Sequence, residues 1–252
     1  MIRRSAILAL AAAATLGACS DNADNADEQA VTDLERPETD GEAEAAAEAL
    51  VAGDFAALKL GAKVEGPQGD EITGALGNAQ GNFADIRSYV SCPAGMDPCD
   101  PASAPEGTVY TYVHVVYPGQ DNRAETGDGA ANTSSNIERA SEFRLVMPAH
   151  GFTGDAGYSK AGALAAAGPK VDVVVTCHEG GLVWTVSAGD GGDQWEQAEP
   201  LTFYWRSTVP PAGPEDAYAI FANYTAAQGP GPYPAADTGA ANACEAAGGR
   251  KP

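Results

Sequence analysis

The chain has 252 residues, 44% hydrophobic but only 7% aromatic, and its 35 Asp and Glu against 14 Lys and Arg give a formal charge of −21. That surplus of acid excludes nucleic-acid binding, which needs clustered Lys and Arg to displace counterions from phosphates, and it excludes adsorption to anionic headgroups through a basic patch. Past the N-terminus no stretch approaches the ~20 apolar residues of a spanning helix, which excludes a polytopic membrane protein, and the length suits one large or two small domains.

Residues 1–20 open with Arg3 and Arg4, continue with an apolar run over 6–16, and end in Leu16-Gly17-Ala18-Cys19-Ser20. Basic, apolar and small-residue regions in that order predict a secretory signal, too short to persist as a spanning helix. The segment Leu16-Gly17-Ala18-Cys19 resembles the lipobox of bacterial lipoproteins. The resemblance implies removal of residues 1–18, acylation of the Cys19 sulfur and a lipid bilayer as the first partner, since two or three acyl chains anchor stably where one is marginal. It further implies a cell-envelope location. Ser20 after the acylated cysteine points to the outer membrane, facing the periplasm or the cell surface.

Residues 20–54 hold twelve acids, one base (Arg36) and no aromatic residue, a net charge of −11. So little apolar surface cannot offset the entropy of ordering, so residues 19–54 are expected to be a lipidated cysteine and a disordered spacer. As a flexible coil it would reach about 30 Å. Within it, residues 42–51 contain strong helix formers in a segment too short to be stable alone. The body is expected over 55–225, because fifteen of the eighteen aromatic residues lie between Tyr110 and Tyr233. Residues 226–252 are 18 of 27 Ala, Gly or Pro and are expected to form an extended tail on that body.

Alternation with a period of two predicts strands over 58–64, 109–117, 142–147, 171–177, 182–186, 201–207 and 217–224. Gly180-Gly181 is the predicted hairpin turn, setting Cys177 opposite Trp184 and Val175, Cys177, Trp184 and Val186 on one face. Strand 109–117 would put Tyr110, Tyr112 and His114 on one face. One short helix is predicted, with Ser159 as N-cap, residues 161–167 as body and Gly168-Pro169 as stop. The pattern reads as all-β, an immunoglobulin- or fibronectin-like sandwich or a related Greek-key barrel.

Five cysteines are odd for an exported chain, but four remain if Cys19 is lipidated. Cys92 and Cys99 enclose a turn-rich segment and are expected to pair, leaving Cys177 with Cys244 to pin the tail.

The chain carries no Gly-x-Ser-x-Gly, no His-Glu-x-x-His, no phosphate loop and no dinucleotide fingerprint. No cofactor is predicted outright. Copper or zinc would draw on His114, His150 and His178, the only imidazoles. Calcium would draw on two oxygen-rich loops, Asp121, Asn122 and Asp128 in one and Asp190 and Asp193 in the other. Trp195 beside Gly191-Gly192 and the face of Tyr110 and Tyr112 are candidates for stacking a sugar or peptide, with burial in the core as the competing assignment. The sequence therefore points to a membrane-anchored envelope lipoprotein acting as a non-enzymatic binding or structural module, with an envelope protein or a cell-wall glycan as partner. The alternative is a metal-binding protein or hydrolase built on the three histidines and the acidic loops.

Overall fold

The computed structural model describes residues 48–65, 70–119, 136–236 and 239–248. The signal segment, Cys19, most of the spacer, and Asp121, Asn122 and Asp128 lie outside the described residues. Two short strands, β1 (Ala49–Leu50) and β2 (Gly53–Asp54), fall inside the segment expected as spacer. After a 3-10 turn at Phe55–Ala57 come β3 (Leu60–Lys63), β4 (Ile72–Asn78), β5 (Gly81–Pro93), β6 (Tyr110–Pro118), β7 (Ala140–Leu145) and β8 (Phe152–Tyr158). Helix α1 (Lys160–Ala167) leads to β9 (Asp172–His178), β10 (Gly181–Ser187), β11 (Leu201–Ser207), β12 (Pro211–Ala222), β13 (Thr225–Pro234) and a second helix, α2 (Ala243–Gly248).

The fold is mostly β, and the described strands form one sheet in the order β1-β9-β10-β7-β12-β13-β4-β5-β6-β11-β8-β2, with β3 beside β5. The sheet curls until its halves face each other, a barrel- or sandwich-like arrangement whose single path does not single out the immunoglobulin topology. Inward residues follow strand parity. In one half Ser88, His114 and Phe203 share a row, and Val90, Tyr112 and Trp205 share the next. In the other, Trp184, Phe143 and Ile220 are aligned. The halves meet where Phe143 stacks on Phe203 at 4.9 Å and His114 lies 4.1 Å from the Tyr218 ring. Trp184 Nε1 donates to the Gly157 carbonyl across the seam at 3.0 Å.

Strands β1 and β2 sit at opposite ends of the strand order, yet only Val51 and Ala52 separate them, so this segment carries the chain from one sheet edge to the other. Glycine permits it. A Cβ on Gly157 would lie 2.2 Å from the Gly53 carbonyl oxygen, and one on Gly53 would meet the Tyr204 hydroxyl.

The helix forms where predicted, its Ser159 Oγ accepting from Gly162 N at 3.0 Å and Gly168 ending it at φ 78°. The hairpin turn differs from expectation. Glu179 (φ 50°) and Gly180 (φ 79°) make it, so Cys177 faces Leu182 and Trp184 faces Val175. Gly181 is a strand residue, glycine because a Cβ there would press on the Leu145 carbonyl oxygen at 2.2 Å. A one-residue move of the turn shifts partners by two, so the inward face survives. The C-terminal stretch is also more than a tail lying on the body, since residues 225–234 form β13 between β12 and β4. A Cβ on Gly231 would come within 2.5 Å of the Tyr218 ring, so the glycine lets β13 close onto the aromatic core. Pro230, Pro232 and Pro234 have no N–H to donate, and the β13–β4 pairing is limited to Gln228 with Gly77.

Candidate functional site

Both expected disulfides are present, Cys92–Cys99 and Cys177–Cys244. The second ties α2 to β9, and Asn242 adds to it by donating to the Gly180 carbonyl at 2.8 Å.

The three histidines are not brought together. His114 is fully buried on β6, His150 packs its ring edge on Tyr233 at 5.8 Å, and His178 is exposed beside Glu179. Among the described residues no three His, Cys, Asp or Glu side chains form a group that could hold a metal. Asp190 and Asp193 are both exposed. The Asp190 carbonyl accepts from Lys170 Nζ at 2.7 Å and Asp193 Oδ1 from Gln194 N at 3.1 Å, contacts that organise a loop.

The aromatic candidates are core residues, which corrects the expectation of a stacking surface. Trp195 is only 1% exposed, its indole donating to the Glu199 carbonyl at 2.7 Å with its edge on Phe203. Tyr112 stacks on Trp205 at 4.5 Å and donates its hydroxyl to the Val209 carbonyl at 2.9 Å. Tyr110 is buried next to it on the same face. The physical reason is the curl of the sheet, which turns the Tyr110-Tyr112-His114 face inward. Ser88 Oγ and His114 Nδ1 are 2.9 Å apart, a serine–histidine pair with no route to solvent, and burial holds the His114 pKa down to about 3. The imidazole is therefore neutral at physiological pH, and the pair supports the core instead of activating a nucleophile.

The outer faces of the two halves differ. Over β5, β6, β11 and β8, residues 53–63 cross the sheet: Phe55 packs near the Tyr204 ring and Lys63 lies 4.5 Å over the Tyr89 ring. Val113, between Tyr89 and Tyr204 in register, is thereby buried. Over β4, β13, β12 and β7 no described segment crosses the face, which forms a trough. One part, about 720 Å³, is lined by Thr73, Ala75, Asn82, Asp216 and Pro230 among others. A second, about 440 Å³, is lined by Arg144, Val146, Ala219, Phe221 and Ala226, and the two share Gly77, Asn78 and Gln228. Asn78 is spent on structure, donating to the Ala226 carbonyl and accepting from Gln80 N. Gln228 Nε2 donates to the Asp216 carbonyl. Arg144 is held by Glu142.

At the end of this trough the β12–β13 hairpin turns through Asn223 (φ 46°) and Tyr224 (φ 63°). Asn223 is clamped: its Oδ1 accepts from Glu138 N at 3.1 Å, its Nδ2 donates to the Asn136 carbonyl, and its own N–H donates to the Arg139 carbonyl. Tyr224 is 82% exposed, in a left-handed conformation that a bulky residue rarely adopts. Sequence reading placed it at a strand end. The two-residue Asn223-Tyr224 interruption between β-compatible runs was the available signal, masked because the turn lacks glycine.

The described residues thus form a disulfide-stapled curled β-sheet in which one outer face is crossed by residues 53–63 and the other is not. No protein-family model, curated protein or solved structure matches the chain.

Proposed function

We propose that the chain is a bacterial envelope lipoprotein, anchored through acylated Cys19 and held off the bilayer by its acidic spacer, with a body that serves as a non-enzymatic binding or structural module. The observation that carries this reading is the cysteine pairing. All four body cysteines are used in two disulfides, which suits an oxidising compartment, and the one left over is Cys19, directly after Leu16-Gly17-Ala18. Acyl chains contribute about 0.8 kcal/mol per buried methylene, so a multiply acylated Cys19 would hold the chain in the membrane without a spanning helix. Ser20 favours the outer membrane. His114, His150 and His178 lie apart, so the alternative of a metal site shared by these three has no geometric support.

The test is fractionation and intact mass of the full chain expressed in a bacterium with a lipoprotein pathway. The expected result is a membrane-bound product with the added mass of the acyl modification, and a Cys19→Ser chain lacking both. A Cys19→Ser chain that stays in the membrane at unchanged mass overturns the reading.

A further inference from the structure

We propose that the open trough over β4, β13, β12 and β7 binds a neutral glycan strand, with Tyr224 as its aromatic stacking platform; the proposal rests on reading the body as a binding module. Four observations converge on that ligand class.

The first is shape. Ala226, Gln228 and Pro230 alternate along one side of β13, a row of about 14 Å at ordinary strand rise, and Tyr224 stands in the hairpin turn two residues beyond it, so the site suits an extended polymer more than a compact molecule. The second is the floor, formed by Ala75, Gly77, Ala219 and Ala226, whose small side chains let a ligand lie close to the sheet. The third is the lining chemistry. Thr73, Asn82, Asp216 and Gln228 offer hydroxyl, amide and carboxylate groups, which pair with sugar hydroxyls as donors and acceptors. Among the described lining residues the only cation is Arg144, and it is paired with Glu142, so they offer no unpaired positive charge to a polyanion. An extended peptide is disfavoured for a separate reason. β4 and β13 each have a strand on both sides, so the trough is a sheet face with no free edge to extend, and the backbone groups that the single Gln228–Gly77 pairing leaves unladdered lie between the two strands.

The fourth observation is Tyr224 itself. Its side chain is exposed in the turn that joins β12 to β13, two residues from Ala226 of the trough lining, and its backbone holds a conformation that costs free energy for any residue with a Cβ, while Asn223 beside it is fixed by hydrogen bonds on both sides of its amide. Nothing in the core needs that ring. The two-residue turn itself requires a left-handed conformation at both central positions, but it does not require an aromatic side chain there, and an exposed ring on a turn held by Asn223 offers a flat apolar face to stack on a sugar.

The experiment is calorimetric titration of the detergent-solubilised full chain with maltotetraose and with chitotetraose, and in parallel with dextran sulfate and octalysine. Saturable binding of at least one neutral tetrasaccharide is expected. Tyr224→Gly should weaken it roughly tenfold, the effect of losing one stacking contact, while the thermal midpoint stays at or above the parent's because glycine accepts the turn. Tyr224→Phe should bind as the parent does, and Gln228→Ala should bind more weakly. The proposal is overturned if neither tetrasaccharide binds, if binding survives Tyr224→Gly together with Gln228→Ala, or if dextran sulfate or octalysine is the ligand lost with Tyr224. Binding unchanged by those variants would remove the trough while leaving a binding module elsewhere on the body. Cleavage of the bound sugar would do the reverse, overturning the non-enzymatic reading while leaving the trough in place.

Discussion

The buried imidazole of His114 makes acid lability a quantitative consequence of the core. Its ordinary pKa of 6.5 falls to about 3 in the folded chain, because burial penalises the charged form. Below pH 6.5 the unfolded chain takes up a proton that the folded chain refuses, so stability is fully present above pH 6.5 and is lost progressively as pH falls towards 3. Each unit is worth about 1.4 kcal/mol, so moving from pH 7 to pH 5 should cost about 2 kcal/mol through this one residue. Urea unfolding at the two pH values measures it, with His114→Phe as reference, since that variant keeps a ring between Phe143 and Tyr218 but cannot titrate. Leaving Ser88 Oγ without its partner lowers the stability of the variant by roughly 1–3 kcal/mol at every pH, which cancels when the pH-dependent loss is compared. His114→Gln serves as a second non-titrating reference should the phenylalanine variant fold poorly. If the parent loses no more stability than the variants between pH 7 and pH 5, His114 is not held neutral by the core.

Three further outcomes follow from the geometry. Gly157→Ala sets a methyl group against the Gly53 carbonyl and should push β2 off the sheet edge, lowering stability by about 1–3 kcal/mol in urea titration; a change within error would show that β2 contributes no closure. Replacing both Cys177 and Cys244 with Ser opens a link across 67 residues, and in the chain-entropy model the loss is roughly 4 kcal/mol, read as a fall in unfolding midpoint under non-reducing conditions. A loss below about 1 kcal/mol would mean that the unlinked chain is already restrained in that region. Tyr224→Gly relieves a left-handed conformation worth roughly 1–2 kcal/mol and gives back roughly 0.5–1 through the freer unfolded chain, so a small net gain in stability is expected, and a clear loss would place the ring in a structural role.

What could be read from the sequence was whatever depends on neighbours along the chain. Strand β11 appears over the residues expected, because Leu201, Phe203 and Trp205 alternate cleanly with polar partners. The α1 caps were equally legible, since Ser159 and Gly168 act on their own helix. Cys92 and Cys99 meet because a short turn joins them, and Cys177 with Cys244 followed by elimination. Strands β4, β5, β8 and β13 were missed for a shared reason. Each replaces apolar alternation with residues chosen for what crosses nearby: Gly74 for Pro230, Ser88 for His114, Gly157 for β2, Gly231 for Tyr218. No local pattern encodes a neighbour that arrives from far along the chain.

The candidate site was hidden by the same physics one level up. Parity correctly grouped Tyr110, Tyr112 and His114 on one face of β6, but it could not say whether that face would be solvated or enclosed, and the curl of the sheet enclosed it. Nor could it say which outer face would stay open. That was decided by residues 53–63, a segment expected in part as spacer, which cross β11 and β6 to reach β5 and so seal one half of the sheet. The opposite half is left with Gln228, Asn82 and Asp216 around small floor residues, polar side chains that look like unremarkable loop and tail composition until β13 is seen inside the sheet. Exposed aromatic surface therefore moved from Trp195 and the β6 tyrosines to Tyr224, in a hairpin turn whose left-handed backbone the two-residue loop requires but whose ring makes no contribution to the core.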